Sequence, residues 1–222
     1  MARRLVPLAA LCVMAGAVLV AADFWEEKPF LSWSDKDVQK MLNDSPWADE
    51  VAVALPPRLP AAQEAGGRGG RGGGGGGDFG AAPTRVRLIV SWRSALPVKQ
   101  ALVRGQVGEG GEPSAQNEEF LALDEPFYIV AVAGVPMQFG GTALEAIKAE
   151  SVLEFSDRSP IPANDVIFQK GQGGLLLLVA FPRTNPVTLE DRDVEFVTKL
   201  GDFGIKKKFR LRDMVFQGDL EL

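Results

Sequence analysis

Between Pro56 and Pro83 the chain runs through PPRLP into GGRGGRGGGGGGDFG, and this stretch decides how everything else can be arranged. Glycine at that density offers no side chains to bury and loses the most backbone entropy on ordering, so no core can pass through it. Gly66 to Gly80 reads as a disordered loop or linker, and the fold must be assembled from residues 23–55 and 84–222. Arg68 and Arg71 are too few to make the tract an RGG-type nucleic-acid segment in an acidic chain, which leaves a flexible connection. The glycines form neither GxxxxGK[ST] nor a strand-bound GxGxxG, because the lysine and the following helix pattern are missing.

The first residues have the form of an export signal. Arg3 and Arg4 precede the uncharged run Leu5 to Ala22, and Val20 and Ala22 supply the small residues expected ahead of a cut after Ala22. The alternative is an uncleaved inner-membrane anchor, since this run stands at the lower edge of the ~20 apolar residues that span a bilayer. A periplasmic or secreted protein is therefore expected. Loss of residues 1–22 removes two arginines and no acid, taking the formal charge from -5 to -7. Such a charge speaks against nucleic acid, and against any membrane contact beyond the signal or anchor, because both partners reward positive fields.

Cys12, the single cysteine, lies inside the signal, so the exported chain has no disulfide of its own and must be held by a packed core. Histidine is absent altogether. That excludes Ser-His-Asp and Cys-His nucleophilic sites and any His- or Cys-ligated zinc, copper or haem centre. No cofactor, metal ligand or catalytic residue is assigned on these grounds. Carboxylate chemistry remains open, and Glu190, Asp191, Asp193 and Glu195 in LEDRDVEF are the acids to consider. They lack the spacing of an EF-hand loop, and adjacent acids in a turn are commonly solvated.

The segment SWSDKDVQKMLNDSPW carries a well-defined helix. Ser34 and Asp37 form a capping box, Trp33 is placed to staple onto Val38, and Val38, Met41 and Leu42 make one apolar stripe before Ser45-Pro46 stops the helix. A helix so short needs a surface to pack on, so Trp33, Val38, Met41, Leu42 and Trp47 are expected as structural anchors. EVAVAL, Glu50 to Leu55, then reads as a strand.

Beyond the glycine tract, Val86, Leu88, Val90 and Trp92 alternate onto one strand face. Ser94 is expected to cap a helix reaching about Arg104, and Gly105 to Asn117 to form a loop. Phe127 to Val135 is apolar on both faces and reads as a central strand. Thr142 and Glu145 suggest a second capping box, with Leu144 and Ile147 facing the core. Thereafter SVLEF, DVIFQ, LLLLVAF, VEFVTK, IKKKFRL and MVFQGDLEL are strand-like, with Val166 to Phe168 and Leu175 to Phe181 forming a hairpin across GQGG. The expected fold is α+β, mainly antiparallel β and sandwich-like, with about three short helices. Four regions are expected: signal peptide 1–22, an N-terminal helix and strand 23–55 docking on the main domain, linker 56–83, and the β-rich domain 84–222.

Alternation in IKKKFRLRD puts Lys206, Lys208, Arg210 and Arg212 on one face. They are the candidate partner-binding surface, set against the plainer view that such lysines keep an edge strand soluble.

Two end segments, WSDKDVQKMLNDSPW and DRDVEFVTKLGDFGIKKKFRLRDMVFQGDLEL, resemble an uncharacterised family of exported proteins abundant in soil bacteria. In that family W-x-D-K-x-V-x-K-M-L-x-D-S-P-W and K-F-x-L-x-D-M-V-F/Y-x-G-x-L-x-L bracket a variable middle, where the glycine tract falls here. The resemblance implies export and a shared domain, and brings no activity, substrate or cofactor with it. Expected function is accordingly a non-enzymatic binding or structural domain of the cell envelope, with an unknown protein or envelope component as partner. The alternatives are a carboxylate-based hydrolase and a carrier of a small apolar ligand.

Overall fold

The computed structural model describes residues 23–54, 85–171 and 173–222; the expected signal or anchor and the whole of the expected linker, 56–83, lie outside them. The described residues form an α+β fold of eleven mostly antiparallel strands with a few short helices and no closed barrel. A five-stranded sheet has the order β1 (Ala48–Ala54), β2 (Arg85–Trp92), β3 (Phe127–Val135), β7 (Gly174–Pro182), β6 (Asp165–Gly171). Against it packs a four-stranded sheet of β5 (Ile161–Pro162), β4 (Val152–Glu154), β8 (Asp193–Leu200) and β9 (Phe203–Arg210). A hairpin of β10 (Val215–Phe216) and β11 (Asp219–Leu220) follows, joined through Gln217 and Gly218, both at positive φ as a tight right-twisting turn requires.

The core lies between the two sheets. Trp92 meets Phe209 edge-on at 5.4 Å and Phe181 meets Phe196 at 6.1 Å, so rings from both inner faces interlock. Inward side chains follow the pleat: Leu88, Val90 and Trp92 on β2, and Leu175, Leu177, Val179 and Phe181 on β7, are all buried. Gly134 sits where the β3–β7 register shifts; its φ of 80° and the approach of the Arg87 carbonyl favour a residue without Cβ.

The remaining helices are α1 (Phe24–Glu27), α2 (Asp35–Asn43), α3 (Leu96–Val107), α4 (Ala115–Ala122) and α5 (Leu144–Ala149). The capping box of α2 is present, with the Ser34 hydroxyl accepting from the Asp37 N–H and the Asp37 carboxylate accepting from the Ser34 N–H at 3.0 Å. Partial burial opposes charge on Asp37, yet the Ser34 donors and the Lys28 ammonium outweigh it and hold the carboxyl below its ordinary 3.8. Such a group adds stability above that value and loses it as pH falls through the lowered one. Asp37→Ala is expected to cost about 1 kcal/mol at neutral pH. The gap from wild type, read from urea melts, should shrink as pH drops below 3.8; a gap that does not change with pH would refute the assignment.

Three local expectations need correction. Ser94 does not cap α3: the N-cap is Ala95, and the Ser94 hydroxyl instead accepts from the Ile129 N–H at 3.0 Å, tying the β2–α3 turn to β3. Thr142 does not cap α5, which begins after Ala143; Ile147 is buried, but Leu144, in the first turn, is 41% exposed. The supposed loop Gly105 to Asn117 ends in the first turn of α4, with Ser114 as its cap accepting from the Asn117 N–H.

Candidate functional site

Strand β7 is apolar at every position from Leu175 to Phe181, although only alternate residues enter the core. Leu176, Leu178 and Ala180 therefore point to the outer face of the five-stranded sheet. Register aligns them with their neighbours. Arg93, whose N–H donates to the Ile129 carbonyl at 2.7 Å, begins a row that continues through Ile129 and Ala180 to Asp165. The next row holds Ser91, Ala131, Leu178 and Ile167. Ser91 and Ala131 are buried, while Leu176 and Leu178 are only half-buried and Ile167 is 41% exposed.

Leu102 of α3 and Phe120 of α4 border this uncovered part of the sheet, leaving a groove of about 450 Å³ with Leu176, Leu178, Ile129 and Ile167 among its lining. Its size and mainly apolar walls are those of a small-molecule site. A neighbouring cleft of about 440 Å³ shares Arg93, Leu102 and Phe120 and continues toward Gln106 and Gln116.

The polar groups of the groove are unequal. Glu125 of its wall is paired with Lys99, which lies outside the groove and is buried: the Lys99 ammonium lies 3.1 Å from the Glu125 carboxylate and donates to the Leu123 carbonyl at 2.9 Å. Glu125 is thus occupied. Arg93 is half-buried, and desolvation alone pushes its guanidinium pKa down, with no charged or hydrogen-bonding partner among the described residues acting on it.

The basic stripe has a different character. Lys206, Lys208 and Arg210 stand exposed on β9, while Ile205 and Phe209 are buried on the other face. Cross-strand acids on β8 neutralise the lysines: Lys206 is 4.0 Å from Glu195, and Lys208 is 3.0 Å from Asp193. Arg212 leaves the stripe, because the strand ends at Arg210 and residues Leu211–Asp213 turn as a 3-10 helix in which Arg212 pairs with Asp213 at 3.3 Å. Lys207 reaches Asp49 where the edge strands β9 and β1 approach. Of the acids in LEDRDVEF, Asp191 accepts from the Thr188 N–H and pairs with Arg158, and Glu190 is exposed. Asp193 and Glu195 do share a hollow with Glu154, but at about 200 Å³ it is small, and Lys208 occupies its wall. Among the described residues no cluster of three or more His, Cys, Asp or Glu could hold a metal ion.

The anchors are inside. Trp33, Met41 and Trp47 have no exposed surface, Val38 is 4% exposed, and Leu42 packs against the core from a half-buried position. Trp33 donates its indole N–H to the Lys28 carbonyl at 3.1 Å and meets Phe24 edge-on. Trp47 donates to the Glu221 carbonyl at 2.8 Å, and the Glu221 carboxylate accepts from the Leu96 N–H at 3.2 Å, satisfying the start of α3 that Ala95 cannot cap. The segments Trp33–Trp47 and Asp191–Leu222 thus touch each other.

Sequence reasoning missed the groove, although LLLLVAF contained its signal: a strand without alternation needs cover on both faces. No protein-family model matches the chain, and no curated protein or solved structure matches it either.

Proposed function

We propose that this protein is an exported, non-enzymatic binding domain of the cell envelope that carries a small apolar ligand in the groove over the outer face of its five-stranded sheet. The observation that carries this reading is the pair of outward leucines on β7, Leu176 and Leu178, left partly exposed beside two helices in a hollow of about 450 Å³. Exposed apolar surface costs free energy in water, and a concave patch of it is a usual mark of a binding site. Export is supported by the pattern from Arg3 to Ala22. Among the described residues no helix is long and apolar enough to cross a membrane. The resemblance of the two end segments to exported soil-bacterial proteins supports the same compartment.

The basic stripe is less suited to partner capture, since its lysines already have carboxylates beside them. A neutral naphthylamine dye tests the groove. Protein recovered from the periplasmic fraction should bind it saturably with a rise in fluorescence, and Leu178→Glu should weaken binding at least tenfold while leaving the thermal midpoint within a few degrees. Absence from that fraction would sink the exported half of the proposal. No saturable binding, or equal binding by the variant, would sink the other half.

A further inference from the structure

Resting on that reading, we infer that the groove's ligand is a free, singly charged amphiphile, a medium-chain carboxylate whose head group meets Arg93 and whose tail lies along Ala180, Leu178 and Leu176. Arg93 is the side chain that sets this class. It lines both the groove and the adjoining cleft, half-withdrawn from water. An arginine keeps its charge, and a desolvated cation without a counter-charge is costly, so a carboxylate placed there gains more than it would on an open surface.

The other charges of the groove do not compete for this role. Glu125 is held by Lys99 at 3.1 Å. Asp165 stands at the far end of the row that begins with Arg93, three strand spacings away through Ile129 and Ala180, which is about 14 Å at ~4.8 Å per spacing. Between Arg93 and Asp165 the row is apolar. Running instead along β7, from Ala180 to Leu176, the floor continues for about 14 Å at ~3.4 Å per residue, with Ile167 beside it. A tail fits there, and a second carboxylate at its far end, beside Leu176 and Gln169, would give up hydration without meeting a cation, since Arg93 is the one cation among the groove's described lining residues. The site therefore selects one anionic end and one apolar end.

Decanoate, decanol and the dicarboxylate sebacate serve as probes in isothermal titration calorimetry, alongside the neutral dye. Wild type should bind decanoate at least tenfold more tightly than decanol and more tightly than sebacate. Arg93→Gln should lose at least tenfold in decanoate affinity while holding the dye as before, and Arg93→Lys should recover part of the loss. Equal affinity of wild type for decanoate and decanol would overturn the inference whether or not the variants fold, as would unchanged decanoate binding by folded Arg93→Gln. Preferential capture by anionic phospholipid vesicles, with no uptake of free decanoate, would overturn it as well. If the dye binds and decanoate does not, the anion assignment fails and the apolar-carrier proposal stands; if neither binds, both fall.

Discussion

Trp47→Ala should lower the free energy of unfolding by about 3–5 kcal/mol, the range for emptying a buried aromatic site. Three separate losses combine there. The ring has no exposed surface and meets Trp25 edge-on at 5.8 Å, so its removal leaves a cavity beside α1 and α2. The Glu221 carbonyl loses its indole donor. With that tether gone, Glu221 is held by its N–H bond to the Met214 carbonyl, so the contact of its carboxylate with the Leu96 N–H at the start of α3 is weakened. Trp47→Phe separates these effects, because it keeps most of the ring and deletes the donor; about 1–3 kcal/mol is expected for the unsatisfied carbonyl. Urea denaturation followed by tryptophan fluorescence and by far-ultraviolet circular dichroism measures both. A cost under about 1 kcal/mol for Trp47→Ala would show that the contact between the chain's two ends is incidental.

The second large effect has the opposite sign. Arg104 on α3 has no exposed surface, and none of its three guanidinium nitrogens makes a hydrogen bond among the described residues. Its nearest carboxylate, Asp35, lies 3.6 Å from Nη2 but is itself 87% exposed, so water takes most of that acid's charge and little of the arginine's cost is recovered. Replacing such a buried charge by an apolar side chain of similar length is expected to stabilise by about 1–4 kcal/mol. Arg104→Met should therefore raise the urea midpoint. Asp35→Asn, removing only the exposed partner, should change stability by less than about 0.5 kcal/mol. A drop in stability for Arg104→Met would mean that the guanidinium is satisfied in solution by water or by Asp35 drawn inward.

What could be read from the sequence was what neighbours in sequence determine. The α2 cap needs only Ser34 and Asp37, three residues apart, and its box is present. Alternation on β2 and β9 likewise foretold which side chains turn inward, since the pleat is set by the chain itself. Helix α4 was missed because Glu112-Pro113 and the glycines before it dominate the window, although Ser114 with Asn117 offered a cap. The acids beside Lys206 and Lys208 required the β8–β9 register, which sets Val197 opposite Lys206 and Glu195 opposite Lys208, so that the lysines pair diagonally with Glu195 and Asp193. The groove required still more: Ile129, Ala180 and Asp165 come from three strands and Arg93 from the turn after β2, and no spacing within any one segment brings them into a row.

The bond between Trp47 and Glu221 joins residues 174 positions apart. In a chain emerging from its N-terminus, the α2 segment has no completed socket until the final hairpin arrives. Loop closure on that scale slows folding, and contacts of high sequence separation form only after much entropy has been lost. The clasp between Trp47 and Glu221 is therefore a late event of folding, and the packing beside α1 and α2 is completed only after the hairpin of β10 and β11 is in place.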